Sequence, residues 1–310
     1  MHPAFSILLF TTLAGAGQGL VAVLSLALLA GVPVPREFLV LALSLGALLL
    51  VGGLTASFFH LGHKMRAWRA VLMWRTSWMS REVIVLPAFI ALVLLWLGAS
   101  VHGSPAALSV LPLLALAGAA LLWYCTAMIY ACLRFIQEWA HALTPVNFTL
   151  IGLASGSTLA CALAVLAEQS TVLRGLAPLA LAFTLAAWGT RVLSLRRNDA
   201  LKPRSTLQSA TGLNHPHLVQ KSMGMSAGSF NTREFFHGAS QLAVRQVRSF
   251  FLLALFVVPA ALQTLALLDW VGPQAWLAAA LLQAPGLLAE RWFFFAQARH
   301  PQNLYYQTVS

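Results

Sequence analysis

Long apolar runs, separated by short polar segments, make up most of this chain. A helix needs about 20 consecutive apolar residues to cross a membrane, and eight runs reach or approach that length. They cover about residues 4–30, 38–59, 83–101, 107–133, 145–167, 173–195, 249–268 and 273–295. We therefore predict an all-α polytopic membrane protein with eight transmembrane helices.

Charged side chains are nearly excluded from these runs, since a charge at the centre of a span costs about 2.5–3.5 kcal/mol. Six of the eight runs contain no Asp, Glu, Lys or Arg. In the sixth run Arg174 and Arg191 lie near the ends, where their side chains are expected to snorkel toward water. Glu290 and Arg291 occupy the last turns of the eighth run.

The composition excludes a soluble globular protein. Hydrophobic residues account for 59% of the chain and charged residues for 9%, whereas a soluble domain has about 25% charged residues. The net charge of +11 is compatible with nucleic-acid binding when taken alone, but the basic residues are dispersed in short segments between the apolar runs. That distribution indicates membrane topology and contact with anionic lipid, so we predict no nucleic-acid partner.

Basic residues fall almost entirely on one side of the predicted membrane. Eight spans place both termini on one side, and 17 of the 19 Lys and Arg residues then lie on that side, with only Arg36 and Arg174 opposite. Because cytoplasmic loops carry the excess of basic residues, we predict cytoplasmic N- and C-termini. The loops after the second, fourth and sixth spans are then cytoplasmic as well.

The two halves of the chain share a short pattern. FTTLAG at residues 10–15 opens the first span and FTLIG at 148–152 opens the fifth, and the pairs Gly15/Gly19 and Gly152/Gly156 both form GxxxG motifs. These motifs indicate close helix packing; the glycines of the first span do not form a dinucleotide loop, because no strand precedes them. Coincidence is the alternative to a true repeat.

A parallel repeat would divide the protein into two four-helix bundles. The first would cover residues 1–140 and include a basic loop at 60–82. The second would cover residues 141–310 and include a long cytoplasmic loop at 196–248.

The densest polar segment is the loop between the second and third spans. His60 ends one predicted helix and Glu82 begins the next, so both are expected at the cytoplasmic boundary. In a structural interpretation, Ser80 caps the third helix, Glu82 interacts with its dipole, and His60 is solvated. The functional interpretation is a quinone site, because a histidine beside a membrane-edge carboxylate can bind a carbonyl oxygen and transfer protons.

The chain carries no evident electron carrier of its own. Its three cysteines form no C-x-x-C pair, and we predict no metal site. A b-type haem held through His60, His63 or His141 is one alternative, which the lack of histidines within the spans disfavours. A secondary transporter is another, but it would need a polar site at mid-membrane. Redox work would therefore require electrons from an attached subunit.

The segment 196–248 is a candidate docking surface. Its basic residues favour contact with anionic lipid. Its interleaved Met, Phe and Gly residues favour contact with another protein. Composition leaves both interpretations open.

Several segments resemble the membrane-anchor subunit of dimethyl sulfoxide reductase-type molybdoenzymes. They are HPAFS at residues 2–6, FTTL at 10–13, HLG at 60–62 and TSWMSRE at 76–82. The segment GSFNTREFFH at 228–237 is most similar to the anchor of cytoplasmic sulfite:quinone oxidoreductases, the sulfite dehydrogenase complexes. The resemblance covers the whole chain, because span count and loop placement agree as well.

The resemblance implies a complex of three subunits in the bacterial inner membrane. One partner subunit would carry a molybdenum bis-pterin cofactor and a second would carry four iron–sulfur clusters, while this chain would bind ubiquinone or menaquinone. Sulfite oxidation would then be coupled to quinone reduction. A dimethyl sulfoxide reductase, or a related S- or N-oxide reductase, would use the same anchor to oxidise quinol.

The resemblance also assigns roles to residues of the polar loop. In this family the positions of His60 and Glu82 are implicated in quinol binding and proton transfer, and both residues are present here with intact flanks. His63, Trp78 and Arg81 are added to the predicted headgroup site because of their proximity in the sequence.

Overall fold

All regular structure in the described part of the chain is helical. The computed structural model describes residues 2–59, 61–222 and 237–305, and no β-strand occurs in these ranges. The long helices are α1 (Phe5–Leu29), α2 (Arg36–Phe58), α3 (Trp78–Val101), α4 (Val110–Ala131), α5 (Leu143–Leu166), α6 (Ser170–Asp199), α7 (Gln241–Leu267) and α8 (Gln274–Ala296). The shorter elements are 3-10 segments at Lys64–Met73, Pro105–Ala107 and Pro301–Tyr305 and a helix of five residues at Leu207–Thr211.

Each predicted span corresponds to one of these helices. Among the described residues, seven helices, α1 to α7, are long and apolar enough to cross a membrane. The protein is therefore a multi-pass membrane protein. The eighth predicted span corresponds to α8, which has 23 residues but is not one of those seven, and which contains Glu290 and Arg291.

The helices pack in a regular order. Within the first half, α1 contacts α2, α2 contacts α3, α3 contacts α4, and α4 contacts α1 again. The same order recurs among α5, α6, α7 and α8. The halves meet mainly through α1 and α5, and residues 20–24 of α1 have no exposed surface. Because α1 is surrounded by other helices, its sequence is apolar on every face.

The close packing predicted for the glycine motifs is confirmed where α1 crosses α5. A Cβ atom placed on Gly19 would lie 1.8 Å from the carbonyl oxygen of Gly152. A Cβ atom on Gly156 would lie 2.1 Å from the carbonyl carbon of Gly19. Only glycine allows this approach. Gly15 differs, since a Cβ atom there would meet nothing within 4 Å.

Helix α7 contains an irregular turn that α8 completes. Residues Leu252–Val257 form a π-helical segment, just before Pro259, which has no N–H to donate to the carbonyl of Leu255. The side-chain Nε2 of Gln283 on α8 donates to that carbonyl at 3.2 Å. A helix irregularity at membrane depth is tolerated when a neighbouring helix satisfies the freed backbone group.

The ends of α2, α4, α6 and α8 are joined to basic loop segments, and we call this end of the molecule the basic face. Here Arg197 Nη2 donates to the carbonyl of Gln137 at 3.0 Å, and Trp139 Nε1 donates to the carbonyl of Phe294 at 3.0 Å. These bonds bring the segment 132–142 against α6 and α8. Of the predicted docking surface 196–248, residues 223–236 lie outside the described part of the chain.

Candidate functional site

A cavity lies near the basic face where α1, α3, α4, α5 and α8 come together. It contains about 530 Å³ of space between atoms, part of which is continuous with the outside. Ligand pockets in proteins combine an apolar lining with a few polar groups. Its polar lining residues are Thr11, Thr12, Gln18, Glu82, Thr126, Ser155 and Arg291. We call it the Glu82 cavity.

Glu82 is the acidic residue of this cavity, and it is held by a neighbouring helix. Its side chain is only 7% exposed, and the Oγ1 hydroxyl of Thr126 on α4 donates a hydrogen bond to its Oε1. Glu82 lies four residues after the start of α3 at Trp78, which is about 6 Å along the helix axis. The carboxylate is therefore below the basic face and inside the helix bundle.

The structural alternative for this segment is wrong for Ser80 and Glu82. Ser77, not Ser80, caps α3, since Ser77 Oγ accepts a hydrogen bond from the backbone N–H of Ser80 at 3.3 Å. Ser80 is buried, at 2% exposure. Glu82 lies beyond the first turn of the helix and is bound by Thr126, so dipole stabilisation at the helix start does not account for it.

Two buried donors of the Glu82 cavity have no hydrogen-bond partner among the described residues. They are the indole Nε1 of Trp123 and the hydroxyl Oγ1 of Thr12. Gly152 makes room for the indole, because a Cβ atom at Gly152 would lie 2.7 Å from Trp123 Nε1. Buried polar groups are normally paired, so two unpaired donors on one cavity indicate a missing partner, either water or a ligand.

Of the other residues of the predicted headgroup site, none that the structure describes lines this cavity. His60 lies outside the described residues. His63 is exposed at the start of the segment Lys64–Met73. Trp78 is half-buried and packs edge-on against Tyr124, with ring centroids 5.3 Å apart.

Arg81 organises the loop that leads into α3. Its guanidinium carbon lies 4.1 Å from the centroid of the Trp78 ring. The same side chain donates to the carbonyl of Trp74 at 2.9 Å and to that of Arg75 at 2.8 Å. These contacts fix the chain direction just before Glu82. Of the described residues in the predicted site, the structure therefore brings only Glu82 to the cavity.

His141, a residue of the haem alternative, is exposed in the loop before α5. Its Nδ1 accepts a hydrogen bond from the backbone N–H of Leu143 at 3.1 Å. Partial burial, and then the nearby Arg197 guanidinium, lower the pKa of His141 below its ordinary value. Within residues 2–59, 61–222 and 237–305, no three His, Cys, Asp or Glu side chains form a group that could hold a metal ion.

A buried charge cluster beside the Glu82 cavity was missed by the sequence analysis. Glu290 on α8 is fully buried, and its Oε1 lies 2.8 Å from Nε of Arg191 on α6. Its Oε2 accepts from Nε of Arg291 at 2.6 Å. Arg191 is 2% exposed and Arg291 is 4% exposed, so the expectation that Arg191 snorkels to water is wrong.

The physical reason for this burial is charge compensation, because removing an isolated charge from water is costly whereas a paired and hydrogen-bonded one is tolerated. The sequence signal was an acid directly followed by a base inside an apolar run, at Glu290 and Arg291. An ionisable residue within a predicted membrane span is a candidate for function by default. The sequence did not reveal that Glu290 pairs with Arg191, because the two residues are far apart along the chain.

The chain is similar to known membrane-anchor proteins along most or all of its length. Residues 1–267 match the family of DMSO reductase anchor subunits (DmsC). The chain is also 45% identical to a protein from Allochromatium vinosum whose name makes it the C subunit of a sulfite dehydrogenase. That alignment has 331 positions and covers 100% of both chains.

Proposed function

Because the chain belongs to the family of DMSO reductase anchor subunits, we propose that it binds quinone and transfers electrons between an iron–sulfur subunit and the membrane quinone pool. The observation that carries this proposal is the Glu82 cavity. It combines a buried carboxylate held by Thr126 with the unpaired donors of Trp123 and Thr12. An acid and hydrogen-bond donors in an apolar pocket match the two ends of a quinone headgroup.

The chemistry requires proton transfer as well as electron transfer. A quinone that accepts two electrons forms two O–H bonds at its carbonyl oxygens, and it takes both protons from the protein or from water. In our proposal, Glu82 delivers one of these protons, and His60, two residues after the end of α2 in the sequence, serves the second oxygen. The Trp123 N–H and the Thr12 O–H orient the headgroup through hydrogen bonds to its oxygens.

The proposed quinone site also includes three residues with an indirect role, His63, Trp78 and Arg81. None of them lines the Glu82 cavity, and Arg81 is bonded to the carbonyls of Trp74 and Arg75. We therefore expect them to act on the loop that precedes Glu82. Their replacement should affect quinone turnover less than replacement of Glu82 or His60.

The proposed partners supply what this chain does not carry. In our proposal, an iron–sulfur subunit brings electrons to the basic face, and a molybdenum bis-pterin subunit oxidises the substrate. The name of the relative from Allochromatium vinosum favours sulfite as that substrate, with ubiquinone or menaquinone as acceptor. The family description favours a second candidate function, in which quinol is oxidised to drive a dimethyl sulfoxide or related reductase.

We further propose that all eight long helices cross the bacterial inner membrane in two four-helix bundles, α1–α4 and α5–α8. The order of helix contacts, which closes on itself within each half, supports this arrangement. The proposed orientation places both termini and the basic face in the cytoplasm, because 17 of 19 basic residues lie on that side.

The proposal is tested by His60→Ala and Glu82→Gln in the complete complex. Each variant should lower quinone-linked turnover by about 100-fold or more, which is the usual contribution of a general acid or base. Activity of the partner subunits with an artificial dye should be unchanged, because the dye bypasses the anchor. Glu37→Gln, at an exposed glutamate at the other end of the helices, is the matched control. Wild-type quinone turnover in both site variants would contradict the proposal.

A further inference from the structure

A second polar cavity lies beside the first and closer to the basic face. It contains about 240 Å³ of space between atoms, part of which is continuous with the outside. Its lining includes Glu138, Asn147, Arg191, Glu290, Arg291 and Gln297. We call it the Glu290 cavity. Polar cavities of this kind hold water, whereas apolar cavities stay dry.

Buried polar atoms without a hydrogen-bond partner among the described residues are concentrated on this cavity. They include Asn147 Oδ1, Arg191 Nη2 and Gln297 Nε2. Asn147 is 4% exposed and Arg191 is 2% exposed, so bulk water does not reach them directly. An acceptor and two donors around one polar space are the partners that an ordered water molecule needs.

The two cavities are adjacent because Arg291 and Phe148 line both of them. The Arg291 guanidinium carbon lies 4.2 Å from the centroid of the Phe148 ring, and its Nε donates to Glu290 at 2.6 Å. Glu290 thus sits between Arg291, which reaches the Glu82 cavity, and Arg191, which lies deeper on α6. The three charges form a continuous polar connection through otherwise apolar helices.

The outer end of the Glu290 cavity is formed by Glu138. This residue is half-buried in the segment 132–142 of the basic face. Its Oε2 lies 3.4 Å from the backbone N–H of Arg299. A carboxylate at this position can exchange protons with water on one side and with the cavity on the other.

We propose that the Glu290 cavity holds water and conducts protons between Glu138 at the basic face and the Glu82 cavity. Glu290 is the fixed anion of this route, because it compensates the two buried arginines beside which the water lies. The inference rests on the proposed function. Quinone takes two electrons from the iron–sulfur subunit, and the protons for its two new O–H bonds come from water at the basic face through this route. Quinol oxidation would release protons along it in reverse.

The test compares substitutions that block the route with a substitution that leaves it open. Asn147→Leu fills the Glu290 cavity with an apolar side chain, and Glu138→Gln removes the outer proton carrier. Glu37→Gln, at an exposed glutamate on the opposite end of the helices, is the control for both variants.

Quinone-linked kcat, KM for quinone and the solvent deuterium isotope effect on kcat are measured on the complete complex. Asn147→Leu and Glu138→Gln should lower kcat by about tenfold or more and raise the isotope effect, while KM stays within about twofold. Dye-linked activity should be unchanged in both. The control variant Glu37→Gln should keep kcat near the wild-type value. If the complex that carries Asn147→Leu does not assemble, the result for Glu138→Gln tests the proton route.

The route is overturned if kcat and the isotope effect of Glu138→Gln and Asn147→Leu equal those of the wild type while Glu82→Gln is inactive. It is also overturned if these variants raise KM and leave kcat unchanged, because the residues would then contribute only to binding. In both cases the proposed quinone site stands. Wild-type quinone turnover in Glu82→Gln and His60→Ala would instead contradict the proposed function itself.

Discussion

Glu82 and Thr126 contact each other from two different helices, 44 residues apart in the chain. The hydroxyl donor fixes the direction of the carboxylate inside the cavity. A hydrogen bond to a charged group contributes about 1.5–3 kcal/mol, and the loss of the donor leaves a buried acceptor unsatisfied. At the scale of single residues, the site therefore depends on a side chain that has no charge and stands out in no motif.

We expect Thr126→Val to lower kcat/KM for quinone by about tenfold or more, since about 1.4 kcal/mol corresponds to a factor of ten. Valine has nearly the same shape as threonine but no hydroxyl donor, so packing should be retained. Thr126→Ser keeps the donor and should stay close to the wild type. Steady-state turnover with a soluble quinone, with dye-linked activity as reference, measures the effect. Equal turnover of the valine and serine variants would show that the bond is unimportant.

Two arginines of α6 differ in burial because their neighbours differ. Arg174 is exposed, as expected for a basic residue at a span end. Arg191 has a similar place in the sequence of α6 but is buried and paired with Glu290. The difference arises because Arg191 faces α8, which carries a carboxylate at the same depth.

At the scale of helices, α1 and α5 determine how the two halves meet. Their glycines allow the backbones of the two helices to contact each other directly, with no side chain between them. The same crossing positions α1 and α5 so that Gly15, Thr12 and Gly152 line the Glu82 cavity. The cavity therefore depends on an interface that contains no catalytic group.

Gly19→Ala should lower the free energy of unfolding by about 2 kcal/mol or more. The added methyl group would overlap the carbonyl of Gly152, and such overpacking is destabilising. Gly189→Ala on α6 is the matched control, since a Cβ atom there meets nothing within 4 Å. It should be neutral or slightly stabilising. Thermal unfolding of the purified protein in detergent measures both. Equal midpoints for the two variants would mean that the crossing tolerates a side chain.

Helices α6 and α7 extend beyond their predicted spans. Helix α7 begins at Gln241, eight residues before the predicted start, after Ser240 Oγ accepts from the backbone N–H of Ala243 at 3.2 Å. Arg248 in this extension pairs with Asp199 at the end of α6 at 2.8 Å. Hydropathy marks where lipid begins, whereas capping and packing decide where a helix begins.

At the scale of the whole molecule, the basic segments and both polar cavities lie toward the same end of the helices. The segments 61–77 and 132–142 and the loop after α6 contain nine of the 19 Lys and Arg residues. The Glu82 and Glu290 cavities both lie toward that end of the helices. Electron donors, proton exchange and the proposed quinone site would then share one side of the membrane.

A cysteine-labelling experiment tests this orientation. Lys64→Cys and His102→Cys place exposed thiols at opposite ends of the helices, in a Cys132→Ser background that removes the exposed native thiol. Cys125 and Cys161 are buried and should not react. In intact spheroplasts, an impermeant maleimide should label the thiol at position 102, and the thiol at position 64 only after lysis. The opposite pattern would reverse the topology.

The sequence by itself determined the fold class, the positions of the long helices and the family. All three depend on local properties: the length and apolarity of each run, and the short motifs at residues 2–6, 10–13, 60–62 and 76–82. The family resemblance is confirmed by the match over residues 1–267 and by the relative that is 45% identical. The role of Glu82 in a quinone site stays a prediction, made from its place in the polar loop and from the family resemblance.

Only the tertiary structure decided which groups accompany Glu82. Thr126, Trp123 and the cluster of Arg191, Glu290 and Arg291 are brought together by helix faces that pack against one another. In an apolar span of nearly uniform hydrophobicity, periodicity does not reveal which face of a helix is turned inward. Partners of a buried charge lie on other helices, so their identity follows from the packing and not from spacing along the chain.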